Sequence, residues 1–178
     1  PALPIHGVAW KRTRQLDERG ADHLLLSLAH EPDQGENAAH WPFAFHLSQR
    51  LQLLDDGLAL ELRLHNRDNR PMPAGVGWHP YFPRHAGVEL QFAAGASWLA
   101  DEQQLPLRQA AIPAGWDFSQ LRAVDEPGLD NNFTGWNGQA RLRWPERRLS
   151  LAIEAGPGLE HLIVYTPPAA QGFLAVGA

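Results

Sequence analysis

With 178 residues, 44% of them apolar and 20% charged, the chain has the composition of one globular domain with a real core, and neither disorder nor a fibrous class fits it. It contains no cysteine, which removes disulfides, thiolate metal sites and cysteine nucleophiles, and which fits a reducing, cytoplasmic setting. A formal charge of -5 with acids and bases interspersed leaves no basic stripe for phosphates, so no nucleic acid partner is expected.

The opening Pro1 to His6 shows no basic segment followed by an apolar one, and no apolar run approaches the roughly 20 residues that cross a bilayer, so neither targeting nor a membrane partner is expected. Sixteen glycines and 15 prolines are spread along the chain as punctuation between short apolar runs, which is the pattern of an all-β protein. Glu31 to His40 reads as an exposed loop. A strand follows from Phe43 through Ser48 towards Leu51 and Leu53, and Asp55-Asp56-Gly57 then marks a hairpin, with Gly57 expected to supply positive φ. Turn chemistry accounts for the two neighbouring acids better than a catalytic pair does. The next strand alternates cleanly, with Leu58, Leu60, Leu62 and Leu64 on one face and Ala59, Glu61, Arg63 and His65 on the other. Asn66 to Pro71 is a turn, Val88 to Phe92 another alternating strand, and Asp117 to Val124 at most a turn or two of helix. Trp136-Asn137-Gly138 is a turn, the arginines at 141, 143, 147 and 148 around Glu146 belong to a solvated strand face and turn, and Leu149 to Glu154 alternates again. Regularly spaced strands of this kind predict a single antiparallel β-sandwich or barrel over residues 1–178.

The segment Pro71 to Pro83 is the most informative. Pro80 biases His79 towards an extended conformation, Gly75 and Gly77 allow close backbone approach, and Trp78, Tyr81 and Phe82 surround the imidazole with aromatic surface. That combination suits a sugar, whose C–H faces pack on rings while its hydroxyls need a few placed polar groups, and histidine passes protons near neutral pH. A histidine that merely satisfies a carbonyl at a strand end fits the same residues.

The whole string Pro-Met-Pro-Ala-Gly-Val-Gly-Trp-His-Pro-Tyr-Phe closely resembles the motif that carries the catalytic histidine of the aldose 1-epimerases, the galactose mutarotase family. Leu3 to Trp10 resembles the family's His-Gly segment, Trp41 to Phe45 its next core strand, Leu129 to Trp136 the element whose aspartate binds sugar hydroxyls, and Leu162 to Pro167 a late strand. The resemblance implies a large antiparallel β-sandwich. It also implies an isomerase of carbohydrate metabolism that acts on a free aldohexose without cofactor or metal. His79 would be the catalytic acid, with His6, Asp130, Trp78 and Tyr81 binding substrate.

In that family the strand resembling Phe173 to Val176 runs into Glu-Pro, whose glutamate is the base; here Gly177 and Ala178 follow, and the family's first strands have no counterpart. Glu154 and Glu160 are poorly suited substitutes, one on an alternating strand and one at a Gly-Pro-Gly turn. The expectation is therefore sugar binding with weak turnover, the alternative a non-catalytic carbohydrate-binding module of the same fold. Exposed sheet edges also invite pairing with a second copy into a homo-oligomer.

Overall fold

The computed structural model describes residues 7–32, 41–102, 105–124, 128–167 and 171–178. The chain divides into two compact units, Pro1–Val76 and Gly77–Ala178. Among the described residues every strand pairing is antiparallel, and helix is confined to short 3-10 pieces such as the single turns at Ala114–Trp116 and Pro145–Arg147. The all-β class read from the punctuation and alternation is what the chain adopts.

The first unit is a meander of β1 (Gln15–Arg19), β2 (His23–His30), β3 (Phe45–Leu53) and β4 (Leu58–Asn66), hydrogen-bonded in that order. Strand β4 falls where the alternating leucines place it. Its register with β3 runs unbroken from Phe45 opposite Asn66 to Leu53 opposite Leu58, so the leucines of both strands share one face. Leu28, Phe45 and Leu47 are buried there and pack with Trp41, Leu62 and Leu64. His30 is buried as well: its Nδ1 accepts from Arg12 at 2.6 Å, its Nε2 donates to the Trp41 carbonyl at 2.9 Å, and its ring stacks on Phe45 at 4.9 Å.

Two turns behave differently from one another. Asp68 works as expected of the Asn66 to Pro71 turn, accepting from the Arg70 backbone and side chain and from the Ala44 backbone. At the hairpin, Gly57 does not take positive φ. It lies opposite Leu54, whose N–H donates to its carbonyl at 2.9 Å, so Asp55 and Asp56 form the turn and the glycine is a paired position.

The second unit holds two sheets. The larger is ordered β5 (Tyr81–Pro83), β14 (Phe173–Gly177), β13 (His161–Tyr165), β10 (Asp130–Thr134), β7 (Ala96–Ala100) and β8 (Pro106–Ala110). The smaller is ordered β12 (Leu149–Glu154), β11 (Gln139–Trp144), β6 (Glu89–Phe92) and β9 (Arg122–Ala123). Leu90, Leu142 and Trp144 of the smaller sheet share one core with Phe133, Leu162, Val164, Leu174 and Val176 of the larger, which makes the unit a sandwich. Phe92 meets Phe133 edge-on at 4.8 Å across the middle. Each such fully buried side chain contributes about 1.5–3 kcal/mol. Asp117 to Val124 forms no helix; Asp117 caps a turn by accepting from Ser119, and the chain continues into β9. The clustered arginines lie on the outer face of β11 and in the following turn, where Arg143 pairs with Glu89 and holds that carboxyl below its ordinary range.

Candidate functional site

His79 is positioned by the edge of the larger sheet. The Trp78 N–H donates to the Ala178 carbonyl at 2.6 Å and the Val176 N–H to the Pro80 carbonyl at 3.4 Å, so the β5 to β14 ladder continues past Tyr81 towards Gly77. Gly77 is required there, because a Cβ would lie 2.8 Å from the Ala178 carbonyl oxygen. In that continued register His79 stands opposite Gly177, just as Tyr81 stands opposite Ala175.

Residues directly opposite one another share a face, and the faces alternate along each strand. Tyr81, Ala175, Tyr165 and Asp130 therefore form one row across four strands. His79, Gly177, Ile163 and Asn132 form the next row on the same face. The two ends of the first row, Tyr81 and Asp130, are about 14 Å apart at Cα by three strand spacings. Along β14, across both rows, runs a trough: Ala175 and Gly177 are its floor, His79 and Tyr81 one wall, Ile163 and Tyr165 the other, with Asp130 and Asn132 one strand beyond that second wall. Phe173 closes one end, 5.2 Å from the Tyr81 ring and 6.2 Å from the Tyr165 ring, while His79 lies 4.8 Å from Tyr81.

Asp130 is exposed and faces the same side as His79. Its neighbour Asn131 faces the core, where its amide donates to the Trp98 carbonyl at 3.0 Å. Beside Asp130 the sheet end opens into a cavity of about 720 Å³ lined by Asp101, Trp116, Leu129, Asp130 and Tyr165. That volume lies within the usual range for small-molecule sites.

Of the residues singled out in the sequence, His79, Tyr81 and Asp130 come onto one face. The alternation that directs His79 to this face turns Trp78 to the other, so Trp78 contributes its backbone here. His6 lies outside the described residues. Glu154 is on β12 of the smaller sheet and Glu160 precedes β13, at the end away from Tyr165. Sequence reasoning passed over Tyr165, Phe173 and the pair Asn132 and His161, hydrogen-bonded at 3.0 Å on the same face. The alternation of Asp130, Asn132 and Thr134 against Asn131 and Phe133 was the available signal.

A Cβ at Gly177 would lie 2.4 Å from the Trp78 carbonyl oxygen and 3.3 Å from the His79 Cα, so the strands close over that position. Among the described residues no three histidines or carboxylates gather as a metal site.

The aldose 1-epimerase family model matches residues 1–176. The uncharacterized protein YphB of Escherichia coli K12 is 30% identical over 154 residues, 86% of this chain and 50% of that protein. A solved structure of a candidate aldose 1-epimerase from E. coli K12 superposes with a TM-score of 0.84 at 27% identity, covering 94% of this chain and 57% of that one. A galactose mutarotase-like protein from Lactobacillus casei gives a TM-score of 0.77 at 17% identity, covering 92% and 60%. The chain thus spans about half the length of these relatives.

Proposed function

Because the chain belongs to the aldose 1-epimerase family, we propose that residues 1–178 act as one mutarotase-like domain that binds a free aldohexose in the trough and handles its two anomers there. The observation that carries this reading is that His79 and Asp130, 51 positions apart in sequence, face the same side of one sheet, with Asp130 one strand beyond Tyr165. The rings of Tyr81, Tyr165 and Phe173 supply apolar surface for the sugar's C–H face, and the Asp130 carboxylate can accept from two adjacent hydroxyls.

Interconversion of anomers needs a proton delivered to the ring oxygen and another removed from the C1 hydroxyl. His79 as imidazolium donates the first as the bond between C1 and the ring oxygen breaks, which leaves a hydroxyl on C5 and an aldehyde at C1; the C1–C2 bond rotates, and attack of the C5 hydroxyl on the other face of the aldehyde reverses both proton transfers. The base is the open role. By the resemblance read in the sequence Gly177 takes the place of the family's glutamate, and a Cβ there would lie 2.4 Å from the Trp78 carbonyl oxygen. That observation favours a second reading, binding without turnover. The absence of cysteine is the basis for placing the protein in the cytoplasm, and the exposed sheet edges are the basis for expecting a second copy as partner.

Polarimetry on freshly dissolved α-glucose and α-galactose separates the readings. Catalysis above the spontaneous rate that falls about 10²–10⁴-fold in His79→Ala supports the enzyme. Sugar-dependent shifts of the tyrosine NMR signals, lost in Asp130→Ala and unaccompanied by turnover, support the binding module. If neither sugar perturbs the trough, both readings fail.

A further inference from the structure

The outer edge of β4 carries a pairing code. Hydrogen bonds between Leu54 N–H and the Gly57 carbonyl, and between Arg67 N–H and the Ala44 carbonyl, fix which residues face β3. Residues 57, 59, 61, 63, 65 and 67 spend their backbone groups on β3, so Leu58, Leu60, Leu62, Leu64 and Asn66 direct theirs outward. Among the described residues no strand pairs with that edge. The strand runs nine residues without a proline or a break in register, and both of its faces are largely exposed. Such an edge is a template for another strand.

We propose that this edge pairs antiparallel with the same edge of a second copy, about a two-fold axis at Leu62. Only even-numbered residues can exchange backbone hydrogen bonds across the new seam, which limits the register. Placing the axis at Leu62 sets Leu60 opposite the partner's Leu64 and Glu61 opposite the partner's Arg63, twice by symmetry. Moving the axis by one residue in either direction sets Glu61 opposite its own copy, or Arg63 opposite its own. Glu61 and Arg63 already bond at 2.5 Å within one chain, with side-chain exposures of 47% and 75%. The pairing therefore closes a ring of four alternating charges on one face, while leucines meet on the other. These charges sit at non-hydrogen-bonded positions, where cross-strand side chains come closest. Charged edges usually repel copies; here the alternation selects one register instead.

The test is sedimentation equilibrium on the 178-residue chain, with circular dichroism to confirm folding. The wild type is expected to form a dimer, and Glu61→Arg or Arg63→Glu alone to weaken it tenfold or more. An equimolar mixture of the two variants restores the dimer, because each unlike pair then meets an opposite charge, which misfolding of either variant would not produce. The chain has no cysteine, so single replacements report the register directly: Leu62→Cys is expected to cross-link to its own copy on oxidation and Leu58→Cys is not. A wild type that stays monomeric to its solubility limit, a dimer indifferent to charge mixing, or cross-linking as ready at 58 as at 62 overturns the proposal.

Discussion

Replacing Gly177 by alanine places one methyl group between β14 and the backbone that leads into β5. The new Cβ would sit 2.4 Å from the Trp78 carbonyl oxygen, whereas an ordinary contact is 3.4 Å or more, so the strands must part by about 1 Å. Backbone on both sides makes this harder to relieve than a clash with a flexible side chain. Overpacking of this kind costs about 1–3 kcal/mol. Weakening the 2.6 Å bond from Trp78 N–H to the Ala178 carbonyl adds about 1 kcal/mol. At about 2–4 °C per kcal/mol for a chain of this size, calorimetry should show Tm falling by about 5–15 °C. Gly156→Ala is the control, since its Cβ meets nothing within 4 Å and its φ is not positive; it should leave Tm level or slightly raised. Because the same displacement moves His79, sugar-dependent signals in the trough should weaken in Gly177→Ala alone. A Gly177→Ala protein that melts within a degree of wild type would refute the claim that the strands close over this position.

Two pH dependences follow from the first unit. Asp22, at 2.9 Å, and then Glu18, at 2.8 Å, raise the His23 pKa above 6.5, so the stability this histidine contributes is complete below that value and lost as pH rises through the folded-state pKa. The Tm gap between wild type and His23→Gln should therefore be wider at pH 5.5 than at pH 8.5; a gap that widens towards alkaline pH contradicts the pairing. Asp68, held at about 2 mainly by Arg70, contributes stability above its ordinary 3.8 that disappears as pH falls through the folded-state value. Acid titration of Asp68→Asn should accordingly show a shallower loss of Tm between pH 4 and pH 2 than wild type, and an identical slope would remove Asp68 from the account.

What was legible in the sequence depended on whether large apolar residues alternate along a strand. Leu58 to Leu64 and Leu149 to Ile153 alternate large apolar residues with small or polar ones, and both strands appear where the alternation puts them, although Leu58, Leu60, Leu149 and Leu151 are themselves exposed. Strand β2 carries Leu24, Leu25 and Leu26 in succession, and β1 is exposed along its whole length with Leu16 its one apolar residue, so neither shows the period of two. Gly57 was misjudged because composition cannot say whether a glycine occupies a turn centre or the pair that flanks it. The trough was beyond reach for a related reason. His79 and Asp130 were visible through the motifs that contain them, but Tyr165 and Phe173 become walls only through the register of β14 against its two neighbours, and register is a property of pairs of strands.

The buried ring of Phe133 gives that register a means of detecting error. The chain presents Asp130, Asn131 and Asn132 in succession, three side chains of similar size that all accept hydrogen bonds. At the Tyr165 position alone, a slip of β10 by one residue would only exchange a carboxylate for the Asn131 amide, but it would also turn Phe133 out to solvent opposite Ile163. On the inner side the same slip would set Thr134 in the place of Phe133 and leave a cavity against Leu162 and Phe92. In the aligned strand the Asn131 amide donates to the Trp98 carbonyl, a bond that Asn132 could also offer, so the discrimination falls to Phe133. The alignment that the functional face needs is thus enforced from behind, by the ring that fills the core.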